Sequence, residues 1–314
     1  MGCLGRWSLL LLGAAACAEA PALAPPSADT DEDASTSPWD ACPDDLVAER
    51  GEVVNDPRLQ ESSGLVAGGS EDAPVLWGHN DSGYAPELFA IDPASGDVLA
   101  KVTLSNGQNV DWEDITRLAD GRLVVGDVGD NLSRREHVSI WRLSEPDPSR
   151  GDHEVEAEEV RWTYADGEAR DVEALLTDPS DGSLWMVSKR FDGVAGVFRA
   201  DADGQGAQVV ERVMSLQFGE PPLLGDRLVT GGDVSQDGRW VALRTYFHVW
   251  LWPRHDGQSL GDALSGEACG PYELATEPQG EAIAFVGERF VTHSERVGEP
   301  LWWYGWPPGS SALP

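Results

Sequence analysis

Short runs of Val, Leu, Ile, Trp and Phe, each bounded by Asp, Gly, Ser or Pro, follow one another along the chain from residue 46 onward. Runs of this kind, punctuated in this way, predict β-strands rather than helices. They also repeat. The segments Glu61-Ser-Ser-Gly-Leu65, Asp111-Trp-Glu-Asp-Ile115, Asp171-Val-Glu-Ala-Leu175, Gly231-Gly-Asp-Val-Ser235 and Gln279-Gly-Glu-Ala-Ile283 align on Ser63, Glu113, Glu173, Asp233 and Glu281, which fall 50, 60, 60 and 48 residues apart. That is the spacing of four-stranded propeller blades.

Each repeat passes from its first strand through a turn, as at Asp120-Gly121, Asp181-Gly182 and Asp237-Gly238, into a second strand. Second strands are predicted at 75–79, 123–127, 184–188, 240–244 and 289–293, and third strands at 88–92, 139–143, 196–200, 248–252 and 301–306. Fourth strands follow at 98–104, 159–164, 208–216 and 272–275, but the last repeat lacks one. Residues 46–54 supply it, so the expected fold is an all-β propeller of five blades, closed by an N-terminal strand that hides the sheet edges. A sixth, degenerate blade inside a longer repeat is the alternative. The 13 tryptophans are read mostly as core.

The N-terminus belongs to a different regime. Arg6, the apolar run Leu9 to Leu12, and small residues up to Ala16 make residues 1–16 a signal peptide. Cys17 directly after them is the expected lipidation site, with cleavage after Ala16 or Ala20 and simple secretion as the alternative. Residues 17–41, rich in Ala, Pro, Ser, Thr and Asp, read as a tether, and the propeller spans 42–314. The expected location is the outer membrane or periplasm, otherwise outside the cell. Cys42 and Cys269 then remain in an oxidising compartment, near one rim, and are expected to form a disulfide; two separate thiols are the alternative.

Charge narrows the partners. Lys plus Arg number 22 against 55 Asp plus Glu, a net charge of -33, which argues against nucleic acid and leaves the membrane in reach only through a lipid anchor. Cations are the natural counterpart, although acidic surface also keeps an exported monomer soluble.

In a blade the start of the first strand and the end of the second meet at one end of the axis. That geometry gathers Glu61, Asp111, Glu113, Asp171, Glu173, Asp233 and Glu281. Residues ending second strands join them: His79-Asn80-Asp81, Asp127 with Asp130 and Asn131, Lys189-Arg190, Arg244 with Tyr246, and His293 with Glu295. Carboxylates so crowded repel one another unless a cation neutralises them, and an all-oxygen set suits calcium better than zinc. The competing reading is that these acids hydrogen-bond backbone amides at the strand starts. The loop from Asp127 to Asn131 reads either as ligands or as a plain turn. His79 and His293, at equivalent places in neighbouring blades, are candidates for proton transfer, or else are histidines satisfied by nearby carboxylates. Lys189, Arg244 and Tyr246 are candidates for holding an anionic substrate, with internal counter-ions as the alternative for the two basic residues. No Gly-x-Ser-x-Gly and no His-Glu-x-x-His occurs.

The segments around Ser63, Glu113, Glu173 and Glu281 resemble the acidic strand-start motifs of secreted phytase-like ("esterase-like") bacterial propellers and, more distantly, of the gluconolactonase and paraoxonase group. The resemblance covers residues 46–306. It implies a calcium-dependent propeller hydrolysing phosphoesters or lactones at an axial metal, with Glu61, Glu113, Glu173, Asp233 and Glu281 as the matching acids. Those families commonly have six blades, and Ser63 stands where they have an acid. A non-catalytic propeller that binds an envelope ligand, with calcium purely structural, is the second expectation.

Overall fold

The computed structural model describes residues 42–70, 73–218 and 224–305. The signal peptide, Cys17 and the tether lie outside the described residues. Strand β1 (Val47–Val54) precedes blade 1, which consists of β2 (Ser62–Ser70), β3 (Ala73–Asn80), β4 (Glu87–Ile91) and β5 (Val98–Leu104). Blade 2 contains β6 (Trp112–Arg117), β7 (Leu123–Asp127), β8 (Val138–Leu143) and, after a short β9 (His153–Val155), β10 (Glu158–Tyr164). Blade 3 contains β11 (Val172–Thr177), β12 (Leu184–Ser188), β13 (Val194–Ala200) and β14 (Ala207–Gln217). Blade 4 contains β15 (Val229–Val234), β16 (Trp240–Thr245), β17 (His248–Pro253) and β18 (Cys269–Glu273), with the helix α1 (Leu260–Leu264) before its last strand. Blade 5 contains β19 (Gly280–Val286), β20 (Arg289–Ser294) and β21 (Glu299–Gly305).

The innermost strands β2, β6, β11, β15 and β19 pack each against the next, and β19 returns against β2. The ring therefore closes with five blades, and β1 pairs antiparallel with β21 to complete the fifth. Parallel pairings of β9 with β5 and of β10 with β14 join the outer edges of blades 1 to 3, leaving fewer unpaired strand edges.

Burial follows the blade interfaces. One hydrophobic cluster fills each gap between neighbouring blades: Trp77 with Trp112 between blades 1 and 2, Trp162 with Phe198 between 2 and 3, Trp185 with Trp250 between 3 and 4, Trp240 with Phe290 between 4 and 5, and Leu65 with Val291 between 5 and 1. Strands covered on both faces explain why the runs are continuously apolar rather than alternating.

The disulfide joins Cys42 to Cys269, tying the segment ahead of β1 to the outer strand of blade 4. One boundary differs from expectation. The outer strand of blade 4 covers Cys269–Glu273 rather than 272–275, so Cys269 lies within it. Gly270 and Pro271 stand inside it, which an edge strand with shifted register tolerates.

Candidate metal centre

Every innermost strand begins with a β-bulge. Register slips between Ser62 and Leu65, Trp112 and Asp114, Val172 and Ala174, Val229 and Gly231, and Gly280 and Ala282. The extra residue is Ser63, Glu113, Glu173, Thr230 or Glu281. A bulge bends its strand and re-aims one side chain, and here it happens at the same level in all five blades. Ser63 and Thr230 use their hydroxyls to tie blades, donating to the carbonyls of Glu113 (2.6 Å) and Gly280 (3.1 Å) in the following blade. The three glutamates are buried, and Glu113 Oε1, Glu173 Oε2 and Glu281 Oε2 have no hydrogen-bond partner.

Half-buried carboxylates complete three adjoining groups: Asp81, Glu281 and Glu295; Asp81, Asp111 and Glu113; and Glu113, Asp171 and Glu173. Within each, one ligand atom per residue lies within 4.8 Å of the others. Among the described residues these are the groups of three or more that could hold a metal ion, and all lie at one axial end. Gly129 borders them. A Cβ there would overlap Glu113 Oε1 and come within 2.7 Å of Asp111 Oδ2, so glycine lets these two carboxylates sit where they do.

Burial, and then crowding, makes these acids weaker acids. Burial, then the charges of Glu173, Asp81, Glu281 and Asp111, pushes Glu113 well above the usual carboxylate range. Asp81, Asp171 and Glu281 are raised, each chiefly by burial. Burial, Asp81 and Asp171 raise Asp111 to about 6; burial, Glu281, Glu61 and Asp81 raise Glu295 to about 8. Among the described residues, one cation is paired directly with an acid of these groups. Lys189 Nζ lies 2.6 Å from Glu173 Oε1 and 5.7 Å from the Tyr246 ring centre. Burial works against that ammonium, but the charge of Glu173 and its other anionic neighbours outweigh it and hold its pKa above the ordinary value. Tyr246 Oη donates to Glu281 Oε1 at 3.3 Å.

The structure thus brings together Asp111, Glu113, Asp171, Glu173, Glu281, Lys189 and Tyr246, with Glu61 at the margin. Other candidates are placed elsewhere. Asp233 was aligned with the glutamates, but the bulge in β15 falls on Thr230, and Asp233 lies three residues deeper. Its two oxygens accept from Val234 N (2.8 Å) and Phe285 N (2.7 Å), stapling blade 4 to blade 5. Asp114, which the sequence reading did not single out, does the same between blades 2 and 3, accepting from Ile115 N and Leu175 N at 2.8 Å each. Asp127 accepts from Asp111 N (3.0 Å) and pairs with Arg135 (2.8 Å), which is the amide-capping role, and Asn131 is exposed on a turn.

Arg244 is fully buried and bonds Glu277 Oε2 (2.7 Å) and Ala282 O (2.8 Å), both toward blade 5. His79 and His293 occupy the register position of Arg244 in their own blades. His79 is buried against Trp112, its ring edge-on at 5.6 Å, with Nδ1 3.0 Å from Asn80 O. Burial lowers both histidines to about 4, so both are neutral near pH 7, and neither belongs to an acidic group. At this position Arg244 ties blade 4 to blade 5, whereas His79 Nε2 and both ring nitrogens of His293 have no hydrogen-bond partner. Asp81 and Glu295, which the sequence places at this end through the ends of their second strands, join these groups from connecting loops. Their signal in the sequence is an acid directly after a second strand, which ends at Asn80 in β3 and at Ser294 in β20.

No protein-family model matches the chain, and no curated protein is similar to it in sequence. A similar solved structure is the PQQ-bound form of an aldose sugar dehydrogenase from Streptomyces coelicolor, at 12% identity and a TM-score of 0.45, over 84% of this chain and 99% of that one. A likeness that distant says nothing about chemistry. The fold assignment rests on the chain's own topology, a closed five-bladed all-β propeller with its acids gathered at one axial end.

Proposed function

We propose that this propeller is an exported, calcium-dependent hydrolase of small phosphoesters or lactones, related in chemistry to the phytase-like propellers it resembles. The observation that carries the reading is the set of three unpartnered glutamate oxygens, Glu113 Oε1, Glu173 Oε2 and Glu281 Oε2, buried on three different blades. Leaving one buried carboxylate oxygen unsatisfied is costly, and three at one mouth call for a ligand. All-oxygen donors from flexible carboxylates suit calcium. When bound, calcium polarises the scissile ester and offsets the negative charge that develops on it. Around it, Lys189 and Tyr246 orient the anionic group, and a mouth carboxylate, Glu295 or Asp111, takes the proton of the attacking water in place of the buried histidines. Export is supported by the Cys42–Cys269 disulfide, and among the described residues no helix is long and apolar enough to cross a membrane. Anchoring through Cys17 fits the tether that precedes the propeller.

The test is calcium titration by calorimetry, with hydrolysis of phosphoester and lactone panels by wild type and Glu113→Gln. Calcium binding and hydrolysis, both lost in the variant, support the reading. Calcium binding without hydrolysis would assign the chain to the non-catalytic binding propellers, and absence of any calcium effect would sink the metal site.

A further inference from the structure

The exposed apolar side chains are distributed unevenly between the two ends of the propeller. Val110, Leu132, Phe191, Phe247 and Val297 all sit on loops at the acidic end, on connections that leave or enter strands beside the bulges. The remaining large exposed apolar residues, Val47, Leu99, Val209 and Val213, lie on the outer strands β1, β5 and β14, and among the described residues none lies on the loops of the opposite end. Singly exposed apolar residues are ordinary; a one-sided set around a polar mouth marks a binding face.

Two rim residues are linked to the ring glutamates, one by its place in the chain and one by a ring contact. From Glu173 the ion pair to Lys189 leads along the chain to Phe191, two residues on and 71% exposed. From Glu281 the hydrogen bond of Tyr246 leads to Phe247, whose ring centre lies 6.4 Å from that of Tyr246 and which is 38% exposed. Both end in the blade 3 and blade 4 sector, beside Lys189, the cation paired with Glu173. An anionic head held at the mouth would therefore leave its substituent over two aromatic rings on that side.

We infer that the acidic end accepts an amphiphilic anion, an ester with an aryl or alkyl group, whose apolar part lies on Phe191 and Phe247. The head's placement rests on the calcium reading above; the apolar sector does not. Two hydrolytically inert probes with the same head, methylphosphonate and 1-naphthylphosphonate, separate the two contributions when titrated calorimetrically into the full chain with calcium and with chelator. With calcium, wild type is expected to bind the naphthyl probe about tenfold more tightly than the methyl probe, as partial burial of one aromatic group on an apolar surface would give. Phe191→Ser and Phe191→Ser/Phe247→Ser should reduce that ratio at least about threefold, whereas Leu132→Ser, equally exposed on blade 2, should leave it unchanged. Phe191 is exposed enough that its single variant tests the idea even if the double variant folds poorly.

A ratio near one in wild type, a ratio that survives both variants, or failure to bind either probe overturns the inference. A naphthyl preference that persists unchanged under chelation would keep the apolar sector and remove calcium from it. Calcium-dependent binding of both probes with no preference would do the reverse. Sedimentation of the ligand-free protein adds a further outcome: a dimer that dissociates in Phe191→Ser would assign the rim to a second copy and overturn the amphiphile.

Discussion

Lys189 Nζ lies 2.6 Å from Glu173 Oε1, and Glu173 is almost wholly buried. Removing one partner of such a pair leaves the other as an uncompensated charge. Lys189→Met should therefore lower the stability of the calcium-free protein by about 3 kcal/mol, near the range found for broken buried pairs. Glu113→Gln does the opposite, since it removes a carboxyl whose ionisation burial and the neighbouring acids oppose, and should leave the calcium-free protein as stable or more so. Thermal melts with and without calcium separate the two. Calcium should raise the Lys189→Met midpoint by at least as much as that of wild type, and should raise the Glu113→Gln midpoint much less.

The raised carboxylates make the calcium-free fold prefer acid. Folding raises Asp111 to about 6, Asp233 to about 7 and Glu295 to about 8, each chiefly through burial. The folded state thus holds protons more tightly than the unfolded chain. The resulting stabilisation is complete below the ordinary carboxylate range and is lost as pH rises through those values. Denaturation midpoints in chelator should fall steadily between about pH 5 and pH 8. Calcium should flatten the part due to Asp111 and Glu295 and leave the part due to Asp233, which is engaged with backbone amides. A midpoint that rises with pH in chelator would contradict this assignment.

Strand order and ring closure were legible because a blade buries both faces, so each strand is a compact apolar run: β5, β7 and β12 fall on the expected residues. The ring was legible wherever the bulge residue is an acid, as at Glu113, Glu173 and Glu281. It was misread in blade 4, where the bulge holds Thr230 and an acid happens to follow three residues later. The better ruler was apolar. Trp112, Val172 and Val229 each precede the bulge residue directly, and aligning on them puts Thr230, not Asp233, at the ring. Arg244 as an internal counter-ion was one of the readings the sequence left open; its partner Glu277 and the burial of His79 and His293 were not legible, because whether a strand-two residue faces the mouth or the next blade depends on a one-residue register that composition does not record.

Those blade-to-blade ties predict defects of stability rather than binding. Arg244 and Glu277 are both buried, and Arg244→Met would leave Glu277 as an unpaired buried carboxylate, a loss of about 3–5 kcal/mol. Asp233→Asn replaces a two-oxygen acceptor by a group with one acceptor and one donor. Either Val234 N or Phe285 N then loses its partner, at a cost of about 1–3 kcal/mol. Chemical denaturation measures both losses. Calcium affinity, measured well below the unfolding transition, should stay within about twofold of wild type, equivalent to less than half a kcal/mol. A large loss of affinity in Asp233→Asn would return that residue to the metal site.

The Cys42–Cys269 disulfide spans 227 residues and ties the segment ahead of β1 to blade 4, whereas β1 itself completes blade 5. Closure of the ring therefore has two fastenings: the β1–β21 ladder and this bond. Because the bond limits how far β1 can separate from the ring in the unfolded chain, Cys42→Ala with Cys269→Ala should cost about 2–4 kcal/mol. The loss should also be local in its first effects. If β1 is the closing strand, hydrogen exchange in the double variant should quicken first in β1 and β21, at free energies below global unfolding, while β6, β7, β11 and β12 on the far side of the ring keep their protection. Uniform acceleration across all five blades would mean that the ring opens as a whole and that the bond acts only on the unfolded chain. Calcium should not restore protection to β1, since its proposed ligands lie on blades 1, 2, 3 and 5 at the axial mouth and none lies on that strand.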